Sequence, residues 1–179
     1  VFRSAVTTIR DCIYMFGSFN SDDGDVAYKY NTSTNKFTKL ATIPQQISFV
    51  SASAVGSDIY IFGCPDLNSD DNENHVVYKY DTILDSYSKV SNMPFSGTGC
   101  ATCTYGKYIY IFGSNNGTKN YAYRYNTDKD TYTNIGQIPY NFYFSGVARI
   151  HDSIYIVGGK ESTNKVCVYD IKDNVFTDI

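Results

Sequence analysis

The chain has 179 residues, 42% of them hydrophobic, and a formal net charge of −3. That balance excludes the basic surface of a nucleic-acid or anionic-membrane binder, and no apolar run approaches the roughly 18 residues needed to span a bilayer. The 18 Tyr and 11 Phe, with no Trp, suit pleated, half-buried surfaces, so the composition leans to an all-β fold.

In chain order, the pentapeptide Ile-Tyr-(Met/Ile)-(Phe/Val)-Gly occurs at Ile13–Gly17, Ile59–Gly63, Ile109–Gly113 and Ile154–Gly158, with spacings of 46, 50 and 45 residues. Strand-rich units repeated at this period are propeller blades, here approximately 1–48, 49–98, 99–144 and 145–179. Each unit begins with a strand of small and polar residues, 4–9, 50–55, 100–105 and 145–150, suited to a crowded axis. The Ile-Tyr strand follows. It is apolar at nearly every position, as expected of a strand buried on both faces between neighbouring blades.

The third strand, 26–30 in the first unit, ends in Tyr followed by Asn or Asp: Tyr30-Asn31, Tyr80-Asp81, Tyr125-Asn126 and Tyr169-Asp170. The residues after it favour turns, because Asn, Asp and Thr hydrogen-bond their own backbone. Seven residues after each Tyr comes a second aromatic, Phe37, Tyr87, Tyr132 or Phe176, on the fourth strand. Pro44, Pro94 and Pro139 then end the first three units and start the crossing to the next. Lys29, Lys79 and Arg124 recur in the third strand, where an apolar stem lies on the blade and the charge reaches water.

The chain resembles a kelch-repeat β-propeller over essentially its whole length. It carries that family's Ile-Tyr-x-x-Gly strand, Tyr-Asp turn and following aromatic. The glycine pair survives only as Gly158-Gly159, and Phe or Tyr stands for the usual Trp, so the repeats are divergent. A tryptophan-aspartate propeller is the rival that a Trp-free chain cannot display. The resemblance implies partner binding on the rim formed by the loops between second and third strands and by the crossings. It also implies five to seven blades in a closed ring, so four blades are expected to belong to a larger propeller, with further blades or subunits covering the open ends.

Candidate contact residues follow from that rim. The loops 18–25 and 64–74 hold seven acids and no Lys or Arg, among them Asp22, Asp23, Asp70 and Asp71. Such a sector would draw a basic partner segment. The crossings offer Gln46, Phe49 and Phe95, and then Tyr140, Phe142 and Tyr143 within a run of four aromatics in five residues. Large rigid side chains of this kind anchor partners. By the resemblance, Arg3 and Arg149 on first strands would line the channel mouth and hold acidic or polar groups.

An enzymatic reading finds little support. The two histidines, His75 and His151, fall in turns expected on opposite rims. The Cys100-x-x-Cys103 pair has zinc spacing but no second pair, and lies in a strand whose positions three apart face opposite sides. The carboxylates of 66–73 lack an evident calcium-loop pattern. No nucleophile-elbow or phosphate-loop motif occurs. The expectation is a non-enzymatic protein-interaction module with no cofactor and no metal, working as a scaffold, adaptor or substrate-recognition propeller. The alternatives are a sugar-active propeller, such as a kelch-type mutarotase, and a structural component of a larger assembly. The five cysteines make no disulfide framework, which favours a reducing, cytoplasmic setting. The absence of a starting Met and of a signal peptide points to a processed chain or a piece of a longer one.

Overall fold

A computed structural model describes residues 4–17, 25–64, 75–113, 120–160 and 162–179. The described residues form sixteen strands and no helix. Blade 1 holds β1 (Ala5–Ile9), β2 (Cys12–Phe16), β3 (Ala27–Asn31) and β4 (Lys36–Lys39), and blade 2 holds β5 (Ser48–Val55), β6 (Asp58–Cys64), β7 (Val77–Asp81) and β8 (Ser86–Lys89). Blade 3 holds β9 (Ala101–Tyr105), β10 (Tyr108–Phe112), β11 (Tyr121–Asn126) and β12 (Thr131–Gln137). Blade 4 holds β13 (Gly146–Ile150), β14 (Ser153–Val157), β15 (Val166–Asp170) and β16 (Val175–Asp178). Each blade is a four-stranded antiparallel meander in sequence order. The chain divides into two compact units, residues up to Thr98 and residues from Gly99 onward, of two blades each.

The repeated residues have a local structural purpose. In all four blades the Tyr one residue before the end of the third strand sits directly opposite the aromatic seven positions on, as in Tyr30↔Phe37 and Tyr169↔Phe176. The ring centroids lie 4.7–4.9 Å apart. Cross-strand aromatic pairs of this kind stabilise a sheet by about 0.2–1 kcal/mol each. The same Tyr hydroxyl donates to the side chain five residues on: to Asp85 at 2.7 Å, Asp130 at 2.6 Å and Asn174 at 2.6 Å, and in blade 1 to Asn35. Those acceptors are the residues the turn holds in the left-handed region, φ 48° to 58°, a conformation Asn and Asp tolerate best. The Asn or Asp after the Tyr caps the turn. Asp81 Oδ1, for example, accepts from Ile83 N at 2.8 Å and Leu84 N at 3.0 Å.

The residue before each of the crossing prolines Pro44, Pro94 and Pro139 is buried and closes the blade. Ile43, Met93 and Ile138 donate their N–H to the carbonyls of Asp25, His75 and Asn120 at 2.7–2.8 Å. The glycine that ends the Ile-Tyr motif lets the crossing backbone approach. A Cβ on Gly17 would lie 2.7 Å from the Ile47 carbonyl oxygen, and one on Gly113 would lie 2.5 Å from that of Phe142.

Each unit has its own core. In the first, Tyr14, Phe16 and Ala27 of blade 1 pack with Ile59, Ile61, Tyr78 and Tyr80 of blade 2. In the second, Tyr110, Phe112 and Ala122 pack with Ile154, Ile156, Cys167 and Tyr169. Burial of the Ile-Tyr strand on both faces holds for β6 and β10 and fails for β2 and β14. Ile59–Phe62 and Ile109–Phe112 are all buried, whereas Ile13, Met15 and Tyr155 are half-buried and Val157 is 48% exposed. On blade 1 the open face runs through the register partners Val6, Met15 and Tyr28, and through Ile13, Tyr30 and Phe37. Val6 is 56% and Phe37 68% exposed.

Candidate functional site

The crossing side of the second unit gathers the aromatic run 140–144. Its members divide by burial. Phe142 is fully buried and belongs to the core, where its ring meets Tyr140 edge-on at 6.0 Å. Tyr143 is buried as well. The expectation that Phe142 and Tyr143 present open contact surface is therefore corrected: the close approach at Gly113 draws this backbone inward, and the rings fill the space beneath. In the first unit Phe95 is likewise buried, while Gln46 is exposed and Phe49 half-buried.

The exposed member of the run is Phe144, which the sequence argument left out of its candidates. Its φ is 59°, and its ring stacks on Tyr143 at 4.0 Å and 31°. A bulky residue in the left-handed region is a genuine outlier. The equivalent positions carry Phe49 at φ 54° and Gly99 at φ 66°. A Cβ on Gly99 would lie 2.3 Å from the Tyr143 ring and 2.8 Å from that of Phe144, so that glycine gives the stacked pair its bed. The signal was in the sequence: a Phe where another crossing has Gly.

Charge surrounds this ridge. Lys160 Nζ lies 6.0 Å from the Tyr143 ring centre and Lys165 Nζ 4.5 Å from that of Tyr140. Tyr140 donates its hydroxyl to Asp178 Oδ2 at 2.5 Å. The Lys165 ammonium is raised above its ordinary pKa by its hydrogen bond to Tyr140, so it stays charged. Lys160 N donates to the Tyr143 carbonyl at 2.8 Å, and Ser162 Oγ to that of Asn141 at 2.9 Å. These bonds tie the loop between β14 and β15 to the crossing.

Other candidates fall elsewhere. Arg149 lies at the far end of blade 4 from the crossing, where Nη1 donates to the His151 carbonyl at 2.6 Å and the guanidinium stands 5.3 Å over Tyr105. It therefore does not share the Tyr140–Phe144 rim, because β13 runs away from the crossing. Arg3, Asp22, Asp23, Asp66, Asp70, Asp71 and Glu73, with Lys119 and Glu161, lie outside the described residues. Asp25 is described and half-buried.

The groups weighed for catalysis are held in structural roles. His75 Nδ1 lies 2.8 Å from the Met93 carbonyl oxygen and so carries its proton there. Burial pushes the Cys100 thiol up to about 12 and also raises Cys103, which disfavours the reactive thiolate. Among the described residues no three His, Cys, Asp or Glu cluster as metal ligands. Among the described residues no helix is long and apolar enough to cross a membrane.

Sequential four-stranded meanders with a small-residue first strand define β-propeller blades, and the Tyr-latched turns define their type. The model of the KLHDC2/KLHL20/DRC7 Kelch-repeats domain matches residues 2–159. The chain belongs to the kelch-repeat family, whose propellers commonly serve as protein-interaction modules. No curated protein matches it. Among solved structures it is similar to that of YjhT, at 16% identity and a TM-score of 0.83, over 99% of this chain and 64% of that one. At that identity the likeness concerns the fold alone, and this chain spans 64% of the length of the structure it matches.

Proposed function

We propose that the chain is a non-enzymatic interaction module that binds a partner protein through its crossing-side loops, with Tyr140 and Phe144 as the aromatic contacts of the second unit. The supporting observation is Phe144: a 45% exposed aromatic kept at positive φ and stacked on a buried ring. Unfavourable backbone of this kind concentrates at binding sites. Lys160 and Lys165 beside it favour a partner segment that pairs an apolar side chain with a carboxylate. The test replaces Phe144 with a photo-crosslinking phenylalanine derivative in the whole protein and identifies what is captured. Phe144→Ala should then weaken that partner by about 10- to 100-fold, as at interface hot spots. Undiminished binding by both Phe144→Ala and Tyr140→Ala would end the proposal.

A second part of the reading concerns the outward sheet faces. Val6 and Phe37 on blade 1, and Ile150 (57%) and Val157 (48%) on blade 4, are exposed, whereas on blades 2 and 3 the equivalents of Val157, Phe62 and Phe112, are buried and those of Phe37, Tyr87 and Tyr132, are half-buried. We infer that further blades or a subunit cover these faces, since open apolar sheet faces drive association. Light scattering on residues 1–179 alone should show association that rises with concentration. A cooperative monomer at all concentrations would refute the inference.

A further inference from the structure

At the opposite end of the first unit, between the β1–β2 and β5–β6 turns, lies a cavity of about 410 Å³. Its walls include Ile9, Cys12 and Tyr14 from blade 1, and Gly56, Ser57 and Thr82 from blade 2. The second unit fills the equivalent place differently. Tyr105 ends β9 as Ile9 ends β1, and Tyr108 begins β10 as Cys12 begins β2. His151 and Asp152 form the β13–β14 turn as Gly56 and Ser57 form the β5–β6 turn.

In the second unit these side chains occupy the space and close it electrostatically. Tyr105 donates its hydroxyl to Asp152 Oδ1 at 2.7 Å, and Lys172 Nζ pairs with Asp152 Oδ2 at 2.5 Å. Arg149 covers the Tyr105 ring, and Arg124 stands 4.7 Å over Tyr108. In the first unit all four positions carry smaller residues, Ile, Cys, Gly and Ser, and the volume stays open. What the second unit has and the first lacks there is an aromatic ring with a hydroxyl donor.

The remaining groups suit such an occupant. Asp11, also on the wall, accepts from Ser33 Oγ at 3.1 Å through Oδ2 and keeps capacity for a further donor. Arg10 stands beside it at φ 51°, at the position where blades 2 and 3 have Gly56 and Gly106. A guanidinium there can stack on a ring as Arg149 does on Tyr105. The size falls within the range of small-molecule pockets.

We propose that this cavity is a binding site for a phenol-type ring, seated between the Ile9 and Gly56 walls with its hydroxyl on the Asp11 carboxylate. The ring is either the tyrosine side chain of a peptide or a free small phenol. The site belongs to the first unit and Phe144 to the second, so it stands or falls apart from the Tyr140–Phe144 reading.

The test is NMR titration of the whole protein with p-cresol, N-acetyl-tyrosinamide and toluene. Saturable shifts at Cys12, Thr82 and Ile83 are expected for p-cresol, with at least tenfold weaker binding of toluene, which lacks the hydroxyl. Binding of N-acetyl-tyrosinamide comparable to p-cresol assigns the site to a peptide tyrosine; p-cresol alone assigns it to a free phenol. Ile9→Tyr combined with Ser57→Asp rebuilds the Tyr105–Asp152 pair and should abolish the shifts while raising the melting temperature. Cys12→Leu narrows the cavity from the other wall and should weaken binding even if the double variant does not fold. Failure of p-cresol to saturate, or wild-type binding by folded Cys12→Leu and Ile9→Tyr/Ser57→Asp proteins, overturns the proposal.

Discussion

Phe142 and Phe144 are two residues apart and chemically identical, yet the structure assigns them opposite energetic roles. Phe142 is fully buried in the core of the second unit. Truncation to Ala removes its transfer energy and leaves a cavity, a loss of about 3–5 kcal/mol. That is a large fraction of the roughly 5–15 kcal/mol that holds a domain folded. Phe144 is 45% exposed at φ 59° and stacks on Tyr143 at 4.0 Å. Phe144→Gly forfeits the ring pair, about 0.5–1.5 kcal/mol. It also relieves the left-handed backbone, worth about 1–2 kcal/mol for an L-residue. The half-buried ring also gives up about 1 kcal/mol of transfer energy, so the terms partly offset and the expected loss is at most about 2 kcal/mol, below that of Phe142→Ala. Urea unfolding followed by far-UV circular dichroism measures both, and an unchanged slope shows that the midpoints report stability. Equal destabilisation by Phe144→Gly and Phe142→Ala would refute the division into a core ring and a contact ring, as would a near-neutral Phe142→Ala.

Asp70→Asn with Asp71→Asn should slow association with a partner that also carries a basic segment and flatten its salt dependence with stability unchanged, measured by stopped flow at several ionic strengths. The Asp152 carboxyl is held below its ordinary pKa, chiefly by hydrogen bonds from Lys172 and Tyr105. Its contribution is therefore complete above about pH 4 and lost as pH falls through the lowered value; Asp152→Asn should flatten the acid limb of a pH–melting curve. Burial raises Cys100 from its ordinary value to about 12. A thiol kept protonated by the fold stabilises fully below about pH 9 and loses that contribution as pH rises toward 12. Cys100→Ala should make the alkaline limb shallower, and an unchanged limb would assign the loss to other groups.

The repeat itself carried the strands, their order and the turn chemistry, because those features rest on short-range contacts. Tyr30 meets Phe37 across one turn, and Tyr80 reaches Asp85 five residues on, so a fixed spacing in sequence becomes a fixed geometry. The candidate site was only partly legible. A run of four aromatics marked the crossing, but which ring faces inward depends on the approach of the Phe142 backbone to Gly113, 29 residues earlier in the sequence. At Gly97, which follows its crossing proline at the same spacing as Ile47 and Phe142 follow theirs, a Cβ would lie 2.0 Å from Met93 Cε, so the methionine takes the room a side chain there would need. The cavity beside Ile9 exists only because small residues on two blades coincide in space, and the open face of blade 1 only because no strand within its unit covers it. Sequence periodicity determines where a side chain sits along a strand. Its burial is decided by neighbours tens of residues away, and those the tertiary structure alone supplies.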